Sequence, residues 1–433
     1  MRKILIYIFV TIITSAYFFP LIIIKPNVNS KMILAAIGVF LLILDKTRSQ
    51  SFKLSIDFLY ICLWAALTSI WGHISMAYNH TSETFMATYL TSLLVWAGGA
   101  YSVIRLIEEV HGSISIKLVG NYLISVCVAQ CIIAYIGFIN PVVHDWLIRI
   151  LGDNVGFMGA PEGRMFGLGA ALDPAGLRFA AVLTIIACLA FNRAEKSSLK
   201  ENIFYLISFF IISLFGNMIS RSTIIGVILA LLYTTFFFYK QKRFSETMGF
   251  MGRAIIIVAV IVISLTLLYR TDAIFKQQIR FGFEGFFSLF EKGKWETNSN
   301  NILKTMIIWP ETLKTWLIGD GYALNPYYDP NYLGEKYSGF YKGTDIGYLR
   351  YIYYFGLPGL ILLSCVFFSS TRFLSSFFKE YKTMFILLLI ANMIGWLKVS
   401  SDIIMVFCPF LVLMFRLQSK ESDENSLLHS VNI

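Results

Sequence analysis

The sequence predicts an all-α polytopic membrane protein of about twelve transmembrane helices, with both termini in the cytoplasm and a large outward-facing loop before the tenth helix. Three observations carry this prediction. Hydrophobic residues make up 57% of the 433 residues and charged ones 14%, which is too little charge to cover a soluble domain of that length. Apolar runs near the length that crosses a bilayer recur from end to end. Lysine and arginine are enriched in every second connection, as the positive-inside bias requires.

The runs fall at about 4–24, 31–44, 55–72, 84–104, 118–139, 175–191, 203–219, 223–239, 254–269, 347–368, 383–399 and 402–416. The first follows Met1-Arg2-Lys3 and resembles a signal peptide in its flanks. It lacks a small-residue cleavage site and is long enough to span, so it reads as a helix. The second is the shortest, and the last two are separated only by Ser400-Ser401-Asp402. Arg2/Lys3, Lys46/Arg48/Lys53, Arg105/Lys117, Arg193/Lys196/Lys200, Lys240/Lys242/Arg243/Arg253, Arg372/Lys379/Lys382 and Arg416/Lys420 then share the cytoplasmic side. The opposite connections are poor in such residues: Tyr78–Glu83 has none, and 219–222 has one.

Four regions follow. Residues 1–269 form an N-terminal bundle of about nine helices, with an outward loop at about 140–174 carrying GFMGAPEGRMFGLGAALDP. Residues 270–346 form the large outward loop, too long for an ordinary connector. Its apolar and aromatic stretches IFKQQIRFGFEGFFSLF and ILKTMIIWPETLKTWLIG do not suit a disordered linker and predict helices lying on or dipping into the membrane face. Residues 347–416 are the C-terminal spans, and 417–433 a polar cytoplasmic tail expected to be irregular. The net charge of +10 does not indicate nucleic acid, because the basic residues are scattered among loops rather than gathered in a stripe. Six cysteines lie inside apolar runs and five histidines show no ligand spacing, so neither a disulfide framework nor a metal site is readable.

Against this background four outward arginines stand out: Arg164, Arg221, Arg280 and Arg350. Arg221 lies in ISRSTIIG, in a connection of a few residues on the side where positive charge is disfavoured. It has two readings, a guanidinium snorkelling to headgroups or one held to grip a phosphate through its planar fork. Arg164 lies near glycines that would let a backbone approach a bulky ligand, or is a solvated loop residue. Arg280, among aromatics in QQIRFGFEGFF, is an interface anchor or a ligand-binding residue. Arg350 projects from the first turns of the tenth span, where a charge normally faces a polar cavity rather than lipid. Asp345 is the carboxylate at that helix start, either capping the helix or acting as a general base towards a sugar hydroxyl. The run YALNPYYDPNYLGEKYSGFYKGTDIGY, with Tyr341 and Tyr348, supplies rings that pack on sugar faces, or an ordinary interfacial belt.

Three segments resemble those of Wzy-type O-antigen polymerases, surface-polysaccharide enzymes in the superfamily that also holds the O-antigen ligases. They are RMFGLGAALDPAG (Arg164–Gly176), ISRSTIIG (Ile219–Gly226), and LIGDGY (Leu317–Tyr322) taken with TDIGYLRYIYYFGLPG (Thr344–Gly359). Ligases carry a histidine eleven residues before the first glycine of a Gly-x-x-Gly. Here that position, counted back from Gly356, is Asp345 followed by Ile346, which is similar to the polymerases. One spacing departs from the family pattern: Arg164 to Gly176 is a residue longer than the polymerases' Arg-x10-Gly.

The resemblance implies a multi-pass protein of the bacterial inner (cytoplasmic) membrane, with a fold like that of GT-C-type glycosyltransferases and its outward loops in the periplasm. It implies undecaprenyl-diphosphate-linked oligosaccharides as substrates, and a polysaccharide chain-length regulator and a flippase as partners. Under it the protein is a glycosyltransferase of lipopolysaccharide or other polysaccharide biosynthesis. Arg164, Arg221 and Arg350 would together stabilise the departing diphosphate in one shared pocket, and Asp345 would take the acceptor proton. Arg350, Arg280, Tyr348, Tyr341 and Asp320 would bind substrate. Guanidinium groups can supply the charge, so the reading invokes no metal and no cofactor. The alternatives are an O-antigen ligase or, from another class, a flippase or transporter of the same lipid-linked units. A transporter would show related halves and charges near mid-bilayer.

Overall fold

A computed structural model describes residues 2–24, 28–48, 55–152, 164–191, 198–240, 266, 269–324, 326, 332, 334 and 339–431. In chain order the helices are Arg2–Phe18 (α1), Ser30–Arg48 (α2), Ile56–Asn79 (α3), Tyr89–His111 (α4), Ile116–Ile139 (α5), Pro141–Leu151 (α6), Leu172–Ala190 (α7), Leu199–Ile219 (α8), Ile224–Lys240 (α9), Ala273–Gly282 (α10), Glu284–Lys292 (α11), Asn298–Thr305 (α12), Leu313–Leu317 (α13), Gly347–Phe377 (α14), Lys382–Gly395 (α15) and Ile404–Val431 (α16). Strand, among the described residues, is confined to an antiparallel pair, Ile22–Ile24 (β1) with Val28–Asn29 (β2). Six of these helices (α3, α4, α5, α7, α8 and α14) are long and apolar enough to cross a membrane, and shorter apolar helices lie at 3–18, 221–237 and 404–419. The chain is an all-α, multi-pass membrane protein.

The expected span at about 254–269 lies, apart from residues 266 and 269, outside the described residues. Short helices do form in the two long loops: α6 in the first, and α10 to α13 in the second. The tail differs from expectation. Instead of turning irregular at 417, α16 runs on to Val431, because Gln418–Val431 contains no glycine or proline and is rich in residues that tolerate a helix.

Two compact units result, one of residues 1–126 with 302–433, the other of residues 127–301. The stretch 270–346 therefore contributes to both. In the first unit α2 and α4 cross at glycines: a Cβ on Gly38 would lie 1.9 Å from the Gly98 carbonyl oxygen, so no side chain fits there. Charges close one end of this packing. Arg416 donates from Nη1 to Asp45 at 2.8 Å and from Nε to Glu108 at 2.8 Å, while Arg105 donates to Asp45 at 3.1 Å. Each ion has an opposite partner, which is the condition for holding charge between helices.

In the second unit α7 is the centre. Its residues Ala175 to Leu189 are buried apart from Arg178, and α8 and α9 pack on it. Here too small residues set the approach: a Cβ on Gly226 would lie 2.3 Å from the Ala180 backbone.

Candidate functional site

Chemistry-bearing residues gather at one place in each unit. In the second unit the starting point is the tight connection between α8 and α9. Ser220 is extended and its hydroxyl oxygen accepts from the Ser222 N–H at 3.4 Å, so Arg221–Thr223 makes a single 3-10 turn before α9 begins. Asp173, in the first turn of α7, fastens that turn. Its Oδ1 accepts from the Ser220 hydroxyl at 2.8 Å and from the Ser222 hydroxyl. The two serines flanking Arg221 are thus both anchored to one carboxylate. The fit demands a glycine: a Cβ on Gly176 would lie 2.5 Å from Ser220 Oγ and 2.8 Å from its Cβ. The Asp-Pro-Ala-Gly and Ser-Arg-Ser segments are, in physical terms, two halves of one contact.

Arg221 projects from this turn into a cavity of about 690 Å³ that is also lined by Arg164 and Arg280. The Arg221 guanidinium lies 4.4 Å above the centre of the Phe281 ring, and that of Arg164 lies 5.7 Å from the same centre. Arg221 pairs with Glu284 through Nη1 and Oε2. Arg280 pairs with Glu291 at 2.8 Å, donates to the Tyr269 hydroxyl at 3.4 Å and stacks on Phe287 at 4.8 Å. Its hydrogen bonds to Tyr269 and Glu291 raise its already high pKa, so it is a permanent cation.

Helix α11 explains how the cavity is walled. Glu284, Phe287, Ser288 and Glu291 repeat at three- and four-residue steps and line the cavity. The intervening Phe286, Leu289 and Phe290 fall on the opposite face and are exposed, Phe290 to 87%. One short helix therefore shows an acidic face to the arginines and an apolar face outward.

In the first unit the gathering point is a break in α14. Phe355 and Gly356 leave helical geometry, Gly356 at φ +70°, and Pro358 has no N–H to give. Carbonyls at the break find partners in the surrounding chain. That of Tyr354 accepts from Gly321 N at 3.1 Å and from the Ser75 hydroxyl at 2.6 Å, and that of Phe355 accepts from Trp71 Nε1 at 2.8 Å. The Gly319-Asp320-Gly321 turn docks on this break, with both glycines at positive φ. A Cβ on Gly356 would lie 2.4 Å from the Leu317 carbonyl, and one on Gly319 would lie 2.5 Å from that of Tyr354. The two parts of the third sequence segment, some thirty residues apart, are again one contact.

The remaining residues singled out from the sequence lie around that contact. Asp320 accepts from Lys314 Nζ and the Thr315 hydroxyl, each at 2.8 Å, and from the Tyr341 hydroxyl at 3.3 Å. Tyr341 is buried against Ile346, Leu349 and Tyr353. Tyr348 donates its hydroxyl to the Met393 carbonyl at 2.9 Å. Arg350 is only 5% exposed; Nε donates to the Ala323 carbonyl at 3.1 Å, and the guanidinium lies 3.4 Å from the Phe340 ring centre. The charges of Asp345 and Glu83 act on it. Asp345 is half-buried and does not occupy the cap position of α14, which belongs to Ile346.

The structure thus joins Arg164, Arg221 and Arg280 at one cavity, whose lining among the described residues does not include Arg350, expected beside Arg164 and Arg221; Asp320, Tyr341, Asp345, Tyr348 and Arg350 group in the other unit. Sequence reasoning does not single out Asp173, Phe281, Glu284 or Glu83. Glu83 receives the N–H groups of Ala323 and Leu324 at 3.1 Å, beside the carbonyl that Arg350 holds. The acidic stripe Glu284/Glu291 at helical spacing is a readable signal. The pairing of Asp173 with two distant serines has none in the sequence.

Residues 202–364 match the family model described as O-antigen ligase, which bears out the resemblance to the O-antigen ligase and polymerase superfamily over that stretch. No curated protein and no solved structure matches the chain.

Proposed function

We propose that the protein is a repeat-unit polymerase of surface polysaccharide, working on undecaprenyl-diphosphate-linked oligosaccharides at the periplasmic face of a bacterial inner membrane. The observation that carries this reading is the cavity in which Arg164, Arg221 and Arg280 converge beside Phe281, joined to the match with the O-antigen ligase family. The reaction breaks the bond between the anomeric carbon of the growing chain and its diphosphate. The electron pair departs with the diphosphate, and guanidinium groups fixed beforehand stabilise that charge more in the transition state than in the ground state. The acceptor hydroxyl oxygen of a new lipid-linked unit attacks the anomeric carbon, and its proton passes to Asp345.

Asp320, Tyr341, Tyr348 and Arg350 we assign to the acceptor side, where they hold the loop before α14 in shape. The exposed apolar face of α11 suits the membrane boundary, where a lipid diphosphate presents its headgroup. Twelve spans, cytoplasmic termini, a GT-C-like architecture and service by a flippase and a chain-length regulator complete the reading.

A ligase is the second reading, favoured by the family description. Asp345, where the ligases carry histidine, favours the polymerase. Complementation separates the two. Expression in a strain lacking only its polymerase should restore ladder-length polymer on a gel, and expression in a ligase-deficient strain should not restore transfer to the lipid acceptor. The reverse pattern overturns the assignment.

A further inference from the structure

Each of two arginines in the cavity already holds a carboxylate: Arg221 holds Glu284, and Arg280 holds Glu291. We propose that Glu284 is a built-in counter-ion that competes with the anionic ligand for Arg221 and so limits how tightly the cavity retains it. The inference rests on the reading of the cavity as an anion site.

Three observations support it. First, Glu284 reaches Arg221 through one oxygen while its other oxygen, Oε1, accepts from the Asn298 N–H at 3.0 Å. A ligand that takes Arg221 leaves Glu284 with a partner at the start of α12, so the exchange strands no buried carboxylate. Second, the pair is part-exposed at 18% and 34%, and a pair of that kind contributes little net energy and opens readily. Third, the lining carries Arg164, Arg221, Arg280 and Lys292 against Glu284, Glu291 and Glu296, so the cavity stays close to neutral when empty despite its arginines.

The consequence for the proposed reaction is at its end. The lipid diphosphate left behind is a strongly charged product that bare arginines would retain. Glu284 returning to Arg221 shortens its stay, which matters wherever release sets turnover.

The test uses the purified full-length protein in detergent, with inorganic pyrophosphate as probe and calorimetry as readout. Glu284→Gln keeps the side-chain shape and removes the competing charge, and should tighten pyrophosphate binding by roughly fivefold. Glu296→Gln removes the same charge from the same lining, and Glu296 forms no ion pair among the described residues; it should shift binding by less than about twofold. Should Glu284→Gln fold poorly, Glu284→Asp, whose shorter chain weakens the pair, should still tighten binding more than Glu296→Gln does. If neither Glu284 variant exceeds Glu296→Gln, the competition does not exist. Arg221→Ala tests the underlying reading separately: pyrophosphate binding equal to wild type would remove the anion site itself, whereas lost binding with an inert Glu284→Gln removes only the competition.

Discussion

The second unit holds Arg221 over an open cavity with Glu284 as its counter-ion, whereas the first holds Arg350 at 5% exposure between a backbone carbonyl and a phenylalanine ring. From the sequence the two look alike, each an arginine at the outward end of a span beside small or aromatic residues. Their surroundings give them different work. A guanidinium paired with a carboxylate at a cavity wall can exchange that partner for a phosphate oxygen at little cost. One whose Nε holds Ala323 and whose face lies on Phe340 cannot leave without opening the loop that Glu83 also clamps. Residue type and depth along a span do not distinguish a cation at a cavity wall from one buried against a carbonyl and a ring; the partners do.

Variants at the two arginines should separate those roles most sharply. Arg221→Ala is expected to lower polymer formation by roughly 10²–10³-fold, the scale for losing one preorganised charge partner in a transition state. Its thermal midpoint should move little, and a normal sugar ladder from this variant breaks the assignment. Arg350→Ala should act in the opposite sense, costing about 2–3 kcal/mol of stability through a buried carbonyl left without its donor and a lost ring contact. A thermal melt lowered by several degrees, with faster proteolysis between 306 and 346, is the expected record.

A smaller effect tests the break in α14. Gly356→Ala places a Cβ 2.4 Å from the Leu317 carbonyl at φ +70°, and should destabilise by about 1–2 kcal/mol. An unchanged melting curve would mean that the Gly-Asp-Gly turn does not dock there. The smallest effect is predicted for Asp173, a positioning residue. Asp173→Ala should reduce kcat about tenfold with KM nearly unchanged, by loosening the turn that aims Arg221. Asp173→Asn, which keeps an oxygen to accept from Ser220 and Ser222, should recover most of it. Failure of that rescue assigns Asp173 to packing alone.

Much of the fold was legible because membrane insertion writes itself into composition. A helix that must satisfy its own backbone in lipid needs a long apolar run, so 116–139 and 172–190 could be read within a few residues of their ends, while the run read at 84–104 is displaced to 89–111. The tail was less legible: Gln418–Val431 is polar enough to look irregular, yet nothing in it stops the helix arriving from Ile404. Arg164, Arg221 and Arg280 stood out because a cation is expensive where they lie. Asp173 did not, since an acid at a helix start is ordinary and its meaning lies in what it touches; Glu284 left only the faint trace of an acidic stripe with Glu291.

By itself the sequence determined that this chain crosses the membrane repeatedly and which rare charges and glycines lie at span ends, because hydropathy and backbone conformation are local properties. Only the tertiary structure decided that Asp173 anchors Ser220 and Ser222, that Gly319 and Gly321 seat on the break at Gly356, and that Arg221 opens onto a cavity while Arg350 is buried against Phe340. Those outcomes depend on close approaches between segments tens of residues apart, and a carboxylate, a carbonyl or a ring becomes a partner only when folding brings it within a few ångströms.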